Sequence, residues 1–282
     1  MTDTSHVELH HGAATDVGMV REANEDAYLA DPPIFVVADG MGGHDRGDVA
    51  SAIVVEEFRR LASDGYDAER GAEAVAATLQ AAQDKILAYD AEQRAGGAAA
   101  DFSAGTTAVA ALLVDSDSGP MWLLANVGDS RAYRYTDGEL EQVSVDHSLV
   151  QELVDAGRIT ADDAASHPSR NVITRALGGA ALPGGVSGEA DYFMLPLAAA
   201  ERLMLCSDGV SGMLDDATVS AILARCEDPR DAAEQVVAAA VEAGGHDNAT
   251  AVVVDVVGLV HTEPYDSAAQ RVSLEQKLGA LP

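Results

Sequence analysis

The chain has 282 residues, with 17 Lys and Arg against 47 Asp and Glu and a formal net charge of −30 at pH 7. A surface this acidic repels the phosphates of nucleic acid and of anionic lipid heads, which argues against both as partners. Two cysteines, Cys206 and Cys226, make no disulfide framework and read as reduced, structural thiols.

The elements follow from periodicity and punctuation. Residues 7–9 and 13–17 read as two opening strands with Gly12 between them, and 27–29 and 34–38 as two more, separated by Pro32-Pro33. Residues 48–63 carry a helical stripe of Ile53, Val54, Phe58 and Leu61, and 68–94 a longer one through Val75, Leu79, Ala82 and Ile86. Joined by a short loop at Gly65, the two helices should run antiparallel. Residues 95–100 form a small-residue loop. Then 106–114, 121–127, 131–135 and 140–143 read as a meander of strands. Residues 149–156 predict a helix stopped by Gly157, and 159–188 hold no steady period, which in a compact domain often marks function. Helices are expected at 217–226 and 230–243, and a last strand at 249–257. Antiparallel strand runs with helices in pairs predict an α+β architecture, two sheets with a helix pair on each outer face. Residues 1–258 read as one domain and 259–282 as a polar tail with a weak helical pattern over 267–278. No apolar run approaches the ~18 residues of a membrane span, and the first residues lack a signal-like pattern. The expectation is a soluble cytoplasmic protein.

Four Asp-bearing motifs punctuate this frame: Asp39-Gly40-Met41-Gly42-Gly43-His44, Gly128-Asp129-Ser130-Arg131, Ser207-Asp208-Gly209 and Asp247-Asn248-Ala249-Thr250. Asp39, Asp208 and Asp247 sit at the edges of apolar, strand-like runs, and Asp129 follows another. Burying a lone carboxylate is costly, so several from distant segments make sense if they meet around cations. Oxygen donors without Cys or clustered His select hard ions, Mg²⁺ or Mn²⁺.

The residue words strengthen that reading. Arg21-Glu22-Ala23-Asn24-Glu25-Asp26, the Asp39 motif through His44, Gly105-Thr106-Thr107, the Asp129 motif, Asp146-His147-Ser148, the run from Val172 to Gly178, the Asp208 motif and the Asp247 motif stand in this order. Together they resemble the PP2C-type (PPM) metal-dependent serine/threonine protein phosphatases in their short bacterial form. Any one is weak, since Asp-Gly pairs are common turn signals, but the ordered set of eight is specific. The resemblance implies an αββα four-layer sandwich with metals in a cleft at one end of the sheets. It also implies a mobile flap at about 147–188.

For the site, the resemblance implies two ions, with a third in bacterial members. Asp39 is the bridging carboxylate, the Gly40 carbonyl completes the first ion's protein ligands, and Asp208 and Asp247 bind the second. Asp129 with Asp208 forms the third site, unless it only caps its own turn. Glu25 and Asp26 hold metal-bound waters. Arg21 grips the substrate phosphate, with a guanidinium fork suited to two oxygens; a surface salt bridge is the alternative. The general acid stays open between His44 and a metal-bound water. His147 orients the flap and Arg175 anchors it or meets the substrate peptide. Thr106, Thr107, Ser130 and Asn248 stabilise the turns around the metals.

No Cys lies in a phosphate-cradling loop and no Ser-His-Asp set is evident. A covalent phospho-enzyme is therefore not expected, and the resemblance implies hydrolysis of phosphoserine and phosphothreonine in proteins by a metal-activated water. The expected partners are phosphoproteins, a cognate Ser/Thr kinase and its substrates, met by a monomer. A non-catalytic pseudophosphatase is the alternative from another class, but it should have lost one of Asp39, Asp208 or Asp247. A partner-switching phosphatase of one phosphoserine regulator would share the chemistry.

Overall fold

The computed structural model describes residues 6–41, 46–117, 119–178, 188–198 and 200–260. In chain order the strands are β1 (His6–Asp16), β2 (Ala27–Asp31), β3 (Ile34–Ala38), β4 (Gly40–Met41), β5 (Gly105–Thr106), β6 (Ala108–Ser116), β7 (Gly119–Val127), β8 (Arg131–Thr136), β9 (Glu139–Gln142), β10 (Leu177–Gly178), β11 (Asp191–Pro196), β12 (Arg202–Cys206) and β13 (Ala249–Val260). The helices are α1 (Gly47–Ser63), α2 (Gly71–Ala95), α3 (Leu149–Asp155), α4 (Ala161–Ala165), α5 (Asp208–Ser211), α6 (Asp216–Arg225) and α7 (Pro229–Glu242).

Two five-stranded antiparallel sheets, ordered β1-β13-β12-β8-β9 and β11-β7-β6-β3-β2, carry the molecule. Their facing sides bury Phe35, Val37, Val109, Trp122, Leu124, Leu203, Leu205, Val252 and Val254 against one another. The other face of the second sheet packs Val36, Leu112 and Leu123 against Phe58 of α1 and Leu79 and Ile86 of α2. The other face of the first packs Met204 and Val253 against Val219 and Ile222 of α6 and Val236 and Val237 of α7. This is the expected αββα order. It explains why β3 and β12 are buried at every residue: alternate side chains feed two cores, so the central strands read as unbroken apolar runs.

The structure differs from the sequence reading in several places. The segments 7–9 and 13–17 belong to one strand, β1, paired along its length with β13 and bulged between Glu8 and Leu9. Gly12 does not break it. A Cβ there would land on the Arg230 and Pro229 backbone, so this glycine lets the first turn of α7 lie directly on the strand. The expected meander is divided: β6 and β7 form a hairpin in one sheet, β8 and β9 pair in the other, and residues 128–130 cross between them. Strand β11 went unpredicted. Its burial alternates along Asp191–Pro196, with Phe193 and Leu195 packed on the inter-sheet core.

Residues 159–188 hold more structure than their aperiodic sequence suggests. Thr160 and Asp163 form a capping box on α4. Leu177–Gly178 pairs with Gly105–Thr106, which in turn pairs with Gly40–Met41, making a small third sheet beside the cleft. The helical pattern at 267–278 lies outside the described residues.

Gly12→Ala separates the two readings of that position. In an open strand alanine would be neutral or stabilising, whereas overpacking against α7 should cost about 1–3 kcal/mol. Urea unfolding should show a lower midpoint at unchanged slope; an unchanged or higher midpoint would refute the close approach.

Candidate functional site

The strand ends deliver the acidic residues to one place. β3 ends at Ala38 and hands Asp39 to the cleft, β12 ends at Cys206 and hands over Asp208, and β13 begins just after Asp247. Asp129 sits in the crossing between the sheets. Asp39 is held through its backbone: its N–H donates to Thr107 Oγ1 at 3.0 Å, and its carbonyl accepts from Thr106 Oγ1 and from the Thr107 N–H, both at 2.9 Å. Thr107 Oγ1 and Ser130 Oγ lie 2.7 Å apart, which ties that strand end to the Asp129 turn.

Asn248 staples the arginine-bearing loop to the start of β13. Its Oδ1 accepts the Glu25 N–H at 2.8 Å, and its Nδ2 donates to the carbonyls of Val17 and Ala23 at 2.9 and 3.0 Å. Arg21 is thereby brought to Asp247, and Nη2 donates to Oδ2 at 2.6 Å. Asp26 is approached by Thr250 Oγ1 at 2.6 Å and Ser207 Oγ at 2.8 Å, both donating to the same oxygen, Oδ2. Gly40 has no room for a side chain, because a Cβ would strike the carbonyls of Glu25 and Gly47. Its backbone is thus packed tightly between the Arg21–Asp26 segment and the start of α1.

The electrostatics follow from that crowding. Asp39 is half-buried, and loss of water together with the charges of Asp26, Asp208, Asp129 and Asp247 pushes its carboxyl far above the usual range. Asp129 is pushed up to about 8 by burial and then by Asp208 and Asp146. Asp26 rises to about 6 through burial, in spite of the Thr250 and Ser207 bonds. Asp208 rises through burial and Asp247, eased by a hydrogen bond with Asp39 and by Arg21 and Arg131. Arg131 gives the cluster little relief, since its guanidinium is spent on Asp146 through Nε and Nη2, at 2.9 and 2.7 Å, and on the Tyr133 hydroxyl.

These residues fit hard divalent cations. Every donor is oxygen, the carboxylates repel one another, and Asp26 Oδ1 and Asp129 Oδ1 are buried with no hydrogen-bond partner. Among the described residues no three His, Cys, Asp or Glu side chains form a ready-made chelate. One Asp247 oxygen is engaged by Arg21, and the other accepts the Asn248 N–H at 2.9 Å.

Asp39, Gly40, Asp129, Asp208, Asp247, Glu25, Asp26 and Arg21 therefore fall in one region. Glu25 is also raised, by burial and by Asp48. Arg21 makes the salt bridge that the sequence left as its alternative, with its side chain still 48% exposed. His44 lies outside the described residues, and His246 is exposed beside Asp247. Two groups were missed. Ser207 and Thr250 clamp Asp26, and their signal was adjacency to the Asp208 and Asp247 motifs. Asp191, on the unpredicted strand, binds Arg175 and His147.

A sequence profile described as Protein phosphatase 2C matches residues 20–242. The chain is 35% identical over 283 residues to the serine/threonine protein phosphatase PstP of Mycobacterium tuberculosis, covering 97% of this chain but 50% of that protein. It is 36% identical to the serine/threonine phosphatase stp of Listeria innocua over 88% of this chain and 96% of the relative. The chain thus spans half the length of one relative and nearly all of the other. Among solved structures, the catalytic domain of PstP in complex with two manganese ions is 34% identical and superposes with a TM-score of 0.75, over 90% of this chain and 100% of that one. The chain belongs to the protein phosphatase 2C family of metal-dependent serine/threonine phosphatases.

Proposed function

We propose that the chain hydrolyses phosphoserine and phosphothreonine in proteins by direct attack of water, with two divalent cations held by its acidic cleft. The observation that carries this reading is the gathering of Asp39, Asp208, Asp247 and Asp129 from four distant segments. Asp39, Asp129 and Asp208 are there deprived of water, and the charge of Asp247 bears on Asp39 and Asp208. Such an arrangement is destabilising by itself and is relieved by cations. Divalent ions in this cleft supply an activated water near neutral pH and offset the charge of the phosphate.

The protein's own groups do the rest. Asp39 would be shared by the two ions, the Gly40 carbonyl would serve the first, and Asp208 and Asp247 would serve the second. Asp129 with Asp208 offers a third position. Glu25 and Asp26 would accept hydrogen bonds from waters around the ions. Arg21, half-exposed at the mouth and bonded to only one Asp247 oxygen, turns to grip two phosphate oxygens. His44 is the candidate proton donor to the leaving oxygen. The retention of all three of Asp39, Asp208 and Asp247 favours an active enzyme over a pseudophosphatase. Mn²⁺ and Mg²⁺ both suit the donor set. The charge of −30 disfavours nucleic acid as partner, and among the described residues no helix is long and apolar enough to cross a membrane. The working picture is a cytoplasmic monomer that opposes a Ser/Thr kinase.

Hydrolysis of p-nitrophenyl phosphate and of a phosphothreonine peptide should stop in excess EDTA and return with Mn²⁺ or Mg²⁺. Full turnover with metals verified absent would sink the two-ion reading.

Asp39→Asn should nearly abolish turnover while raising the melting temperature of the chelated protein by about 2–4 °C. It removes a repelled carboxylate from a crowded site, and roughly 1 kcal/mol has that effect in a chain of this size. Calorimetric scans in EDTA check it; wild-type activity at saturating Mn²⁺ would reject the ligand assignment.

Arg21→Ala should raise KM for phosphopeptides at least 10-fold, since a group that grips phosphate binds ground and transition states alike. Because it also frees the Asp247 carboxylate, Mn²⁺ affinity by titration calorimetry should stay the same or tighten. Weakened Mn²⁺ binding at unchanged KM would move Arg21 from the substrate to the metal shell.

A further inference from the structure

His147 is the one buried histidine among the described residues, and both of its ring nitrogens are engaged. The Gly128 N–H, one residue before Asp129, donates to Nδ1 at 3.0 Å. A backbone amide can only donate, so Nδ1 is the acceptor and the neutral ring carries its proton on Nε2. Nε2 lies 3.1 Å from Asp191 Oδ2 and donates to it. Arg175 Nη1 is also 3.1 Å from Nε2, but two donors make no bond, and Arg175 instead donates to Asp191 Oδ1 at 2.8 Å. The backbone repeats the pattern. The His147 N–H donates to the Gly128 carbonyl at 2.9 Å, the Thr174 N–H to the His147 carbonyl at 2.8 Å, and the Leu149 N–H to the Val172 carbonyl at 2.8 Å.

One residue thus holds the turn before Asp129 on one side and the root of the flap on the other. Gly128 cannot relax alone. Its φ is +109°, and a Cβ there would meet Thr107 Cγ2 at 2.5 Å, the same threonine that holds the Asp39 N–H. Burial pulls His147 below the usual imidazole range and keeps the ring neutral. Burial works against ionisation of Asp191, but the bonds from His147 and Arg175 win and hold it low, so the acceptor is a carboxylate.

We propose that His147 is a positioning residue that locks the flap root at residues 172–175 to the turn carrying Asp129, so that ion binding at Asp129 and placement of the flap are coupled through one imidazole. The proposal rests on the reading of Asp129 as an ion-holding carboxylate. Coupling of this kind is reciprocal: whatever orders the flap should tighten the ion, and the ion should order the flap root.

Two near-isosteric variants cut the two ends separately. In His147→Asn the amide oxygen takes the place of Nδ1, which keeps the Gly128 bond and loses Asp191. In His147→Gln the amide nitrogen takes the place of Nε2, which keeps Asp191 and loses the Gly128 acceptor. Mn²⁺ titration calorimetry and amide hydrogen exchange over 172–178 read the two ends without relying on turnover. His147→Gln should weaken the weakest Mn²⁺ step at least 5-fold. His147→Asn should leave direct Mn²⁺ affinity within about twofold but speed exchange at Thr174 at least 10-fold, and should abolish the slowing of that exchange by Mn²⁺ that the coupling requires in the wild type. Asp191→Asn, at a half-exposed side chain, should reproduce the Asn variant even if both histidine variants fold poorly. Equal effects of the two histidine variants on both readouts, no effect of either, or wild-type exchange in Asp191→Asn would each overturn the coupling. A wild-type chain that binds no Mn²⁺ would instead overturn the phosphatase reading.

Discussion

Everything in this molecule turns on the gathering of like charges at the edge of a low-dielectric interior. Asp39 and Asp129 are lifted well out of the carboxylate range by lost water and by neighbouring carboxylates, Asp208 is raised by burial and by Asp247, and the chain's own cations do not neutralise them. Arg131 is spent on Asp146, and Arg21 reaches only one oxygen of Asp247. A fold that holds such a cluster must be stabilised elsewhere, and a ligand that neutralises it will bind with the relief of that repulsion as part of its affinity.

The stabilisation comes from three cores stacked around two sheets. Because the central strands are covered on both faces, their ends cannot move independently, and the residue just past each end inherits a fixed position. The second device is a set of neutral hydrogen bonds that fasten the acidic loops by their backbones and leave carboxylate oxygens free. Thr106 and Thr107 hold Asp39 through its amide and carbonyl, and Asn248 holds the Arg21 loop through three bonds. Asp26 instead has its carboxylate clamped directly by two hydroxyls, and there one oxygen takes both bonds while the other stays without a partner.

The flap shows the same economy. Its root is held to the body by the Thr174 amide, the Ser148–Ile173 bridge and the Arg175–Asp191 ion pair, and β10 adds it to the small sheet that also holds Gly40. Motion of the flap would therefore be felt on two sides of the cleft, through Asp129 and through β4. Gly178, a natural hinge by composition, is pinned in that small sheet, with its N–H donating to Gln83 Oε1 at 2.7 Å.

The sequence by itself determined the element types, the layer order and the identities of the acidic residues, because these depend on local periodicity and on motif words that survive without contacts. The central strands announced themselves as unbroken apolar runs, and the Asp residues at their ends were legible as a cleft. Only the tertiary structure decided what long-range contact decides. Gly12 read as a break and is a close approach of α7 to an unbroken strand. The run from 106 to 143 read as one meander and is divided between two sheets. Strand β11 was hidden in a half-polar stretch, and with it Asp191, the partner that gives His147 and Arg175 their roles. Arg21 was legible as a phosphate-binding candidate, but its pairing with Asp247 depends on a hydrogen bond between residues 226 apart in the chain. Local pattern specifies which residues will be buried or charged; which of them meet is set by packing, where the partner's position is a property of the whole chain.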